Sequence, residues 1–137
     1  MDRVLIEQKL ESLRRCVVRV AAKCPAGIET LANDADLQDI VVLNLTRAVQ
    51  LCVDLGAHLI AETELPAPET MGQTFDLLSQ AGVLEHDLAE RMKRAVGFRN
   101  LAVHQYQAID WAIVHAICVR HLQDFRAFAQ AVAVRLL

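Results

Sequence analysis

The sequence predicts an all-α protein, an up-and-down bundle of about five helices. Apolar residues make up 54% of the 137 residues, whereas glycine occurs five times and proline three times. Alanine, leucine and valine dominate the apolar fraction and aromatic residues contribute only 4%, a balance that favours helices over strands. Apolar side chains also recur at steps of three and four residues, which is the period of an amphipathic helix.

The first half of the chain predicts two long helices. The first spans roughly residues 3 to 22 and is broken by Pro25 and Gly27; its apolar stripe is Ile6, Leu10, Leu13, Val17 and Val20. The second follows the acidic stretch 34–36, whose carboxylates suit a helix N-terminus, and runs to about Glu62. Its apolar surface is wider than one stripe, which predicts neighbours on two sides, with a second protomer as one candidate.

The second half predicts three further helices. A short one around residues 74–80 ends at Gly82. Asp87, with Glu90 three residues later, has the spacing of a capping box and predicts the start of a fourth helix. Asp110 suits the N-cap of a last helix that reaches the C-terminus. The two longest helices, each of about 26 residues, would be about 39 Å long, which suits an elongated antiparallel bundle.

Composition and charge narrow the class of protein. The length predicts one domain over residues 1–137. Four separated cysteines without a C-x-x-C pair do not indicate a zinc site or a dithiol, and the N-terminal segment is not patterned as a secretion signal, so we expect reduced thiols in the cytoplasm. Apolar residues lie at helical spacing rather than in one long run, which predicts an oligomer without a membrane span. With a net charge of −3, any contact with RNA has to be local.

The segment 98–106 concentrates the polar chemistry of the chain. It contains Arg99, Asn100, His104 and Tyr106. Arginine can hold a phosphate through two parallel hydrogen bonds and histidine can move a proton near neutral pH, so the combination suits cleavage of a phosphodiester without a metal. The alternative is that Asn100 only caps a helix and His104 only packs.

The spacing of these residues resembles a known family. Arg99, four residues, His104, one residue and Tyr106 is similar to the R-x4-H-x-Y signature of the HepT toxins, which belong to the HEPN superfamily of helical ribonucleases. The flanks 97–100 and 109–110 and the upstream run 37–45 also resemble the family. The resemblance implies a metal-independent endoribonuclease without a cofactor, acting as a homodimer. It also implies a toxin whose partner is the antitoxin MntA, a minimal nucleotidyltransferase.

Geometry and resemblance together assign roles to the motif. On a continuous helix Arg99 and His104 are about 140° apart, so one chain is expected to build half of a cleft that two protomers complete. We expect His104 to transfer a proton when a ribose 2′-hydroxyl attacks the adjacent phosphate, and Arg99 to stabilise the phosphate charge. Asn100 would orient the histidine or the phosphate. The resemblance implies that Tyr106 receives AMP from the antitoxin; a semi-buried tyrosine at a helix end is the alternative.

Other polar residues have weaker interpretations. A basic patch before the motif either guides RNA or complements the helix dipole; it consists of Arg91, Lys93 and Arg94. Three residues spaced by three on the last helix are expected to pack rather than to bind a metal, and they are His115, Cys118 and His121. Asp39 and Asn44 either support the site or an interface, or lie on a solvated helix face.

The sequence is also compatible with two functions other than a ribonuclease. The first is a non-catalytic helical partner of a nucleotidyltransferase, which binds nucleotide or substrate and uses Arg99 and His104 only to hold phosphate. The second is a structural oligomerisation domain, which leaves the polar motif unexplained. RNA cleavage that depends on His104 would separate the ribonuclease from both.

Overall fold

The computed structural model describes residues 1–137 and is an all-α bundle without strands, which confirms the predicted fold class. Its helices are α1 (Arg3–Lys23), α2 (Ile28–Ala32), α3 (Ala35–Ala61), α4 (Met71–Gln80), α5 (His86–His104), α6 (Trp111–Ala116) and α7 (Leu122–Val134). A 3-10 turn, Tyr106–Ala108, follows α5, and one π-helical turn, Ile117–His121, joins α6 to α7. The five predicted helices are all present, and α2 is an additional short helix that the sequence analysis missed.

Polar caps fix several of the helix ends. Asp2 and Asp34 accept hydrogen bonds from the backbone N–H groups of Leu5 and Leu37, at 3.1 and 3.0 Å, and so start α1 and α3. Gly82 has a φ of 77°, and the N–H of the next residue donates to the carbonyl of Leu78, four residues before Gly82, at 2.9 Å. This left-handed glycine ends α4 as predicted.

Two predicted boundaries were wrong. The capping box at Asp87 does not form, because the tight turn at Gly82 lets α5 begin earlier, with Glu85 as an N-cap that makes no side-chain hydrogen bond. Asp87 lies within the first turn, where its charge still complements the helix dipole. The last helix was predicted to reach the C-terminus, but it ends at Val134. It also contains the π-helical turn.

α3 is the central helix of the bundle, since it contacts α1, α2, α4, α5 and α7. Its buried residues lie on more than one face, which explains why its apolar surface is wider than one stripe. α3 is also long and apolar enough to cross a membrane by composition, with a mean hydropathy of 1.5 in an 18-residue window. Within the fold, 56% of that window is buried, as is usual for the core helix of a soluble protein.

α5 and α7 pack on the same core and place the motif at one end of it. Phe75 of α4 meets Phe128 of α7 edge to face, with ring centroids 5.8 Å apart, and both rings are fully buried. Met92 and Val96 bury one side of α5. The last turn of α5 is less covered: Val103 keeps 52% of its surface exposed.

Candidate functional site

The motif lies where α5 ends and the chain turns. α5 is helical without interruption to His104, and Gln105 leaves the helix with φ −142° and ψ 57°. The 3-10 turn 106–108 follows, and Asp110 starts α6 by accepting a hydrogen bond from the N–H of Ala112 at 2.9 Å. The prediction that Asp110 caps the last helix is therefore confirmed, and the polar side chains of the motif project from a helix end and a tight turn.

Arg99 is a half-buried cation without an acidic partner. Its Nη1 donates a hydrogen bond to Oδ1 of Asn100 at 3.1 Å, and it forms no ion pair. Asn100 therefore contacts Arg99 rather than His104 in this structure. Because an amide oxygen carries no net charge, the charge of Arg99 remains available to an anionic ligand.

His104 is the last residue of α5, and its ring is exposed and makes no hydrogen bond within the chain. The unbroken helix places it about 140° around the axis from Arg99. No hydrogen bond joins the two side chains. One chain thus presents the cation and the imidazole on different sides of α5, as predicted from their spacing.

Tyr106 is held by a residue far away in the sequence. Its hydroxyl donates a hydrogen bond to Oδ1 of Asp39 on α3 at 2.8 Å, across a separation of 67 residues. Its ring meets Trp111 edge to face with centroids 6.1 Å apart. Partial burial, and then the hydrogen bond and charge of Asp39, raise the pKa of Tyr106 to about 12. The phenol is therefore neutral at physiological pH, with a carboxylate in place to accept its proton.

The basic patch before the motif is largely neutralised. Arg91 forms an ion pair with Asp124 at 2.9 Å, and Lys93 pairs with Asp76 at 3.1 Å. Arg94 alone is exposed without a carboxylate partner. The structure thus supports tertiary ion pairing for the first two residues and leaves only Arg94 free to attract RNA.

An apolar groove of about 220 Å³ lies beside the motif helix, between α3, α5 and the segment that runs from α6 into α7. Phe98, Ile113 and Ile117 contribute apolar walls, and Arg91 and Arg94 also line it. Ile113 keeps 57% of its surface exposed. The surface beside the motif helix therefore combines an apolar groove with arginine side chains at its walls.

The three spaced residues of the last helix do not converge. The ring of buried His115 hydrogen-bonds the carbonyl of Pro25 at 2.9 Å, whereas His121 lies 3.4 Å from Asp124. Cys118 is buried among apolar side chains, which raises its pKa. No group of three or more His, Cys, Asp or Glu side chains is arranged to hold a metal ion.

The sequence left two interpretations of Asp39 open: a residue that supports the site or an interface, and a residue on a solvated helix face. In the structure Asp39 accepts a hydrogen bond from Tyr106 of the motif, so it supports the site. Asn44 is buried, and its Nδ2 donates a hydrogen bond to the carbonyl of Ile40 at 2.8 Å. Its hydrogen bond is therefore made within α3 and not to a residue of the motif. The only feature of the sequence that indicated the contact between Asp39 and Tyr106 is that Asp39 is an acidic residue on an otherwise apolar helix.

Comparison with known proteins finds relatives over nearly the whole chain. The family model described as "Ribonuclease HepT-like" matches residues 6–132. The mRNA nuclease HepT of Shewanella oneidensis is 33% identical over 128 residues, which are 93% of this chain and 96% of the relative. The tRNA nuclease HepT of Aphanizomenon flos-aquae is 24% identical over 110 residues, 80% of this chain and 75% of the relative.

The fold also matches a solved toxin–antitoxin structure. The tri-AMPylated HEPN toxin of Shewanella oneidensis, in complex with the MNT antitoxin, superposes with a TM-score of 0.90. The two chains are 32% identical, and the match covers 98% of this chain and 99% of that one. The similarity therefore extends to the entire bundle and includes the region of the motif.

Proposed function

The chain belongs to the HepT-like ribonuclease family, and from this premise we propose that it is the ribonuclease toxin of a toxin–antitoxin pair. The observation that carries the proposal is the end of α5, where an arginine without an acidic partner and an exposed histidine lie five residues apart. Arg91, earlier on the same helix, is by contrast neutralised by Asp124. Residues 1–137 act as one domain, in the cytoplasm, where both RNA and ATP are present.

The reaction is cleavage of RNA by its own 2′-hydroxyl. The 2′-oxygen forms a bond to the adjacent phosphorus while the bond to the 5′-oxygen of the next nucleotide breaks. His104 takes part in the proton transfer that this exchange requires, between the 2′-hydroxyl and the departing 5′-oxygen. Arg99 donates two hydrogen bonds to the phosphate oxygens, on which negative charge increases in the transition state. Asn100 holds the guanidinium in position for this contact.

A complete cleft requires two copies of the chain. Arg99 of one copy and His104 of another face each other when two α5 ends pack, which one copy alone does not achieve because of the 140° separation. Exposed apolar side chains around the motif support such packing: Val103 next to His104 and Ile113 on α6 expose 52% and 57% of their surfaces. The active species is therefore a homodimer.

The activity is switched off by transfer of AMP to Tyr106. The partner is a nucleotidyltransferase antitoxin related to the MNT antitoxin of the Shewanella complex. The phenolic oxygen attacks the α-phosphorus of ATP, pyrophosphate leaves, and Asp39 accepts the phenolic proton through its 2.8 Å hydrogen bond. The added phosphate and adenosine lie two residues from His104, where they fill the cleft and compete with RNA for Arg99.

The experiment that tests the ribonuclease is a cleavage assay on total RNA with a metal chelator present. Wild-type protein should cleave RNA, and His104→Ala should lose at least about 100-fold of the rate, as expected for a proton-transfer group. His86→Ala is the matched control, because His86 is an exposed histidine at the opposite end of the same helix. Equal cleavage by wild type and His104→Ala would remove His104 from the mechanism, and nucleotide binding without any cleavage would favour the non-catalytic partner.

The two-copy cleft has its own test. By two-fold symmetry a dimer would contain two clefts, each with Arg99 of one copy and His104 of the other. Arg99→Ala and His104→Ala proteins should each be inactive, but a mixed dimer contains one cleft in which both groups are intact. If each cleft takes its arginine and histidine from different copies, the mixture should regain about a quarter of wild-type activity, since half of the dimers are mixed and each has one intact cleft. A mixture as inactive as its components would place both groups in the same chain's cleft.

The switch is tested by incubating the protein with ATP and the cognate nucleotidyltransferase. Mass spectrometry should find AMP on Tyr106, and the modified protein should no longer cleave RNA. Tyr106 is the only tyrosine of the chain, so Tyr106→Phe leaves no other phenol to modify. AMP that remains on the Phe variant would show that the acceptor is a different residue.

A further inference from the structure

A second groove lies between α1 and α3, and no residue of the motif helix lines it. It has a volume of about 550 Å³ and is lined mainly by polar side chains. Arg15 and Arg19 enter it from α1, one helical turn apart, and Arg47 enters it from α3 together with Asn44 and Gln50. No motif of the family resemblance includes these arginines.

The groove is positively charged although the chain as a whole is not. Glu11 is held by Arg14 at 2.7 Å and Arg15 at 3.5 Å, and these contacts lower the pKa of Glu11 to about 2. Asp54, the carboxylate that lines the groove, is bound by Lys9 at 3.4 Å and by Gln50 at 3.0 Å. Glu11 therefore offsets part of the charge of Arg15, and neither acid neutralises Arg19 or Arg47.

Arg19 and Arg47 have no carboxylate partner, and both are exposed. Arg47 and the buried thiol of Cys16 both line the groove. Burial raises the pKa of Cys16, and the nearby charge of Arg47 opposes that rise. Two fixed cations thus remain available in a chain with a net charge of −3.

The lining indicates which class of ligand fits. Only two of the nine lining residues are hydrophobic, and none is aromatic. The centre of a protein–protein interface is usually apolar and rich in aromatic residues, whereas phosphate groups are bound by arginine forks and by amide and hydroxyl donors. The groove therefore suits the backbone of a nucleic acid better than the surface of a protein.

Its position is compatible with a strand that also reaches the motif. Asp39, which holds Tyr106, and Arg47 lie eight residues apart on α3, which is a rise of about 12 Å and a rotation of about 80° around the helix axis. A single-stranded RNA that contacts both the motif and the groove would therefore follow α3 for about two turns and cross from one face of the helix toward the next.

Resting on the proposed function, we propose that the groove between α1 and α3 binds the phosphate backbone of the RNA substrate outside the cleft. Arg19 and Arg47 each contact a phosphate and Arg15 adds to the local field. The groove holds the flanking strand while the motif acts on the scissile phosphate. Binding here reads no base sequence, because contacts with phosphates are the same for every nucleotide.

The test measures binding separately from cleavage. The probe is a fluorescent single-stranded RNA whose 2′-hydroxyls are methylated, so that self-cleavage is impossible whatever the activity of the protein. Its affinity is measured by fluorescence anisotropy at several salt concentrations for the full chain. The groove variant is Arg19→Gln with Arg47→Gln. The control is Arg120→Gln with Arg126→Gln, which removes the same charge from exposed arginines outside the groove.

The groove variant should bind the probe at least about tenfold more weakly at low salt, and its salt slope should be smaller by about 1.4, the value for two phosphate contacts on a single strand. The control variant should retain its affinity within about twofold. Circular dichroism establishes that both variants are folded.

Three results would overturn the proposal. They are unchanged affinity of the groove variant, an equal loss in the control variant, and normal RNA binding combined with lost binding of the nucleotidyltransferase antitoxin. The last result would make the groove a protein interface. If the wild type binds the probe through the groove but never cleaves RNA, the proposed ribonuclease fails while the binding site stands.

Discussion

The two ends of α5 contain the same kinds of side chain in opposite states. Toward its N-terminal end, Arg91 and Lys93 are bound to Asp124 and Asp76 on neighbouring helices, at 2.9 and 3.1 Å. At its C-terminal end, Arg99 hydrogen-bonds only the neutral amide of Asn100, and His104 is exposed and makes no hydrogen bond within the chain. The same helix therefore separates cations that stabilise the bundle from groups that remain available to a ligand.

The difference shows that the presence or absence of a carboxylate partner, rather than the residue type, decides whether a cation stabilises the bundle or can bind a ligand. A phosphate that binds Arg91 has to displace a carboxylate that already satisfies the guanidinium, whereas a phosphate that binds Arg99 displaces only a neutral amide and water. Substitutions at the two ends should consequently separate activity from stability.

The largest expected effect is on catalysis at Arg99. Arg99→Ala should reduce the rate of RNA cleavage by about 100- to 1,000-fold, since one strong donor to the transition-state charge is lost. The melting temperature should change little, because no ion pair is broken. Arg120→Ala, at an exposed arginine without a partner, is the control and should leave the rate unchanged. A loss of rate accompanied by an equal loss of folded protein would contradict the separation of the two ends.

Arg91 should show the opposite behaviour. Arg91→Ala should lower the free energy of unfolding by about 1–2 kcal/mol, because Asp124 is mostly buried, with 17% of its side chain exposed, and loses its partner. The rate of cleavage per folded molecule should remain close to that of the wild type. Urea denaturation and the RNA assay measure the two quantities.

A double-mutant cycle isolates the ion pair. Arg91→Ala, Asp124→Ala and the double variant should give a coupling of about 0.5–1.5 kcal/mol. His121 also lies 3.4 Å from Asp124, so part of the loss in Asp124→Ala comes from that contact. A coupling near zero would mean that Arg91 is as free as Arg99, and the contrast between the two ends would disappear.

A smaller expected effect is a change in the pKa of Tyr106 when Asp39 is substituted. Asp39→Asn should lower the pKa of Tyr106 from about 12, although not to its ordinary value of 10, because burial remains. Ultraviolet absorbance of the phenolate reports this residue alone, since the chain has one tyrosine. Asp36→Asn, one turn earlier on α3, is the control. An unchanged titration would show that Asp39 does not act on the phenol.

The raised pKa of Tyr106 also predicts how the stability of the fold changes with pH. A phenol whose pKa is raised on folding contributes stability that is complete below pH 10 and is lost as the pH rises toward 12. In Asp39→Asn that loss should be smaller, since the difference between the folded and unfolded pKa is smaller. Thermal unfolding measured at several alkaline pH values tests this sign.

Local sequence patterns predicted most of this fold because periodicity and caps act over a few residues. Asp34, Gly82 and Asp110 mark helix ends through hydrogen bonds or backbone angles that neighbouring residues supply, and the structure confirms all three. The same local reasoning failed at Asp87, where a turn outside the capping pattern sets the start of the helix.

The unpredicted part of the site depends on contacts between distant segments. Nothing near Arg91 or Lys93 in sequence indicates that Asp124 and Asp76 neutralise them, and nothing near Tyr106 identifies Asp39. The spacing of Arg99 and His104 was readable because both lie on one continuous helix. Sequence therefore identified the reactive groups, and the tertiary structure shows which of them remain free.

The smallest expected effect concerns Gly97, which belongs to the reactive end of α5. Gly97 and His104 are seven residues apart, about two turns, and so share one face of the helix. A Cβ at Gly97 would meet nothing within 4 Å, unlike one at Gly56, which would lie 2.5 Å from Cγ2 of Thr74. Gly97→Ala should therefore raise the free energy of unfolding by about 0.5–1 kcal/mol through better helix propensity.

Its effect on function should have the opposite sign. If a second α5 or an RNA phosphate approaches closely on the face shared with His104, the added methyl group keeps it away, and cleavage should fall although the fold is more stable. Thermal unfolding and RNA cleavage on the same sample measure both. A variant that is more stable and fully active would show that the glycine is not needed for a close approach, and would place the cleft on another side of the helix end.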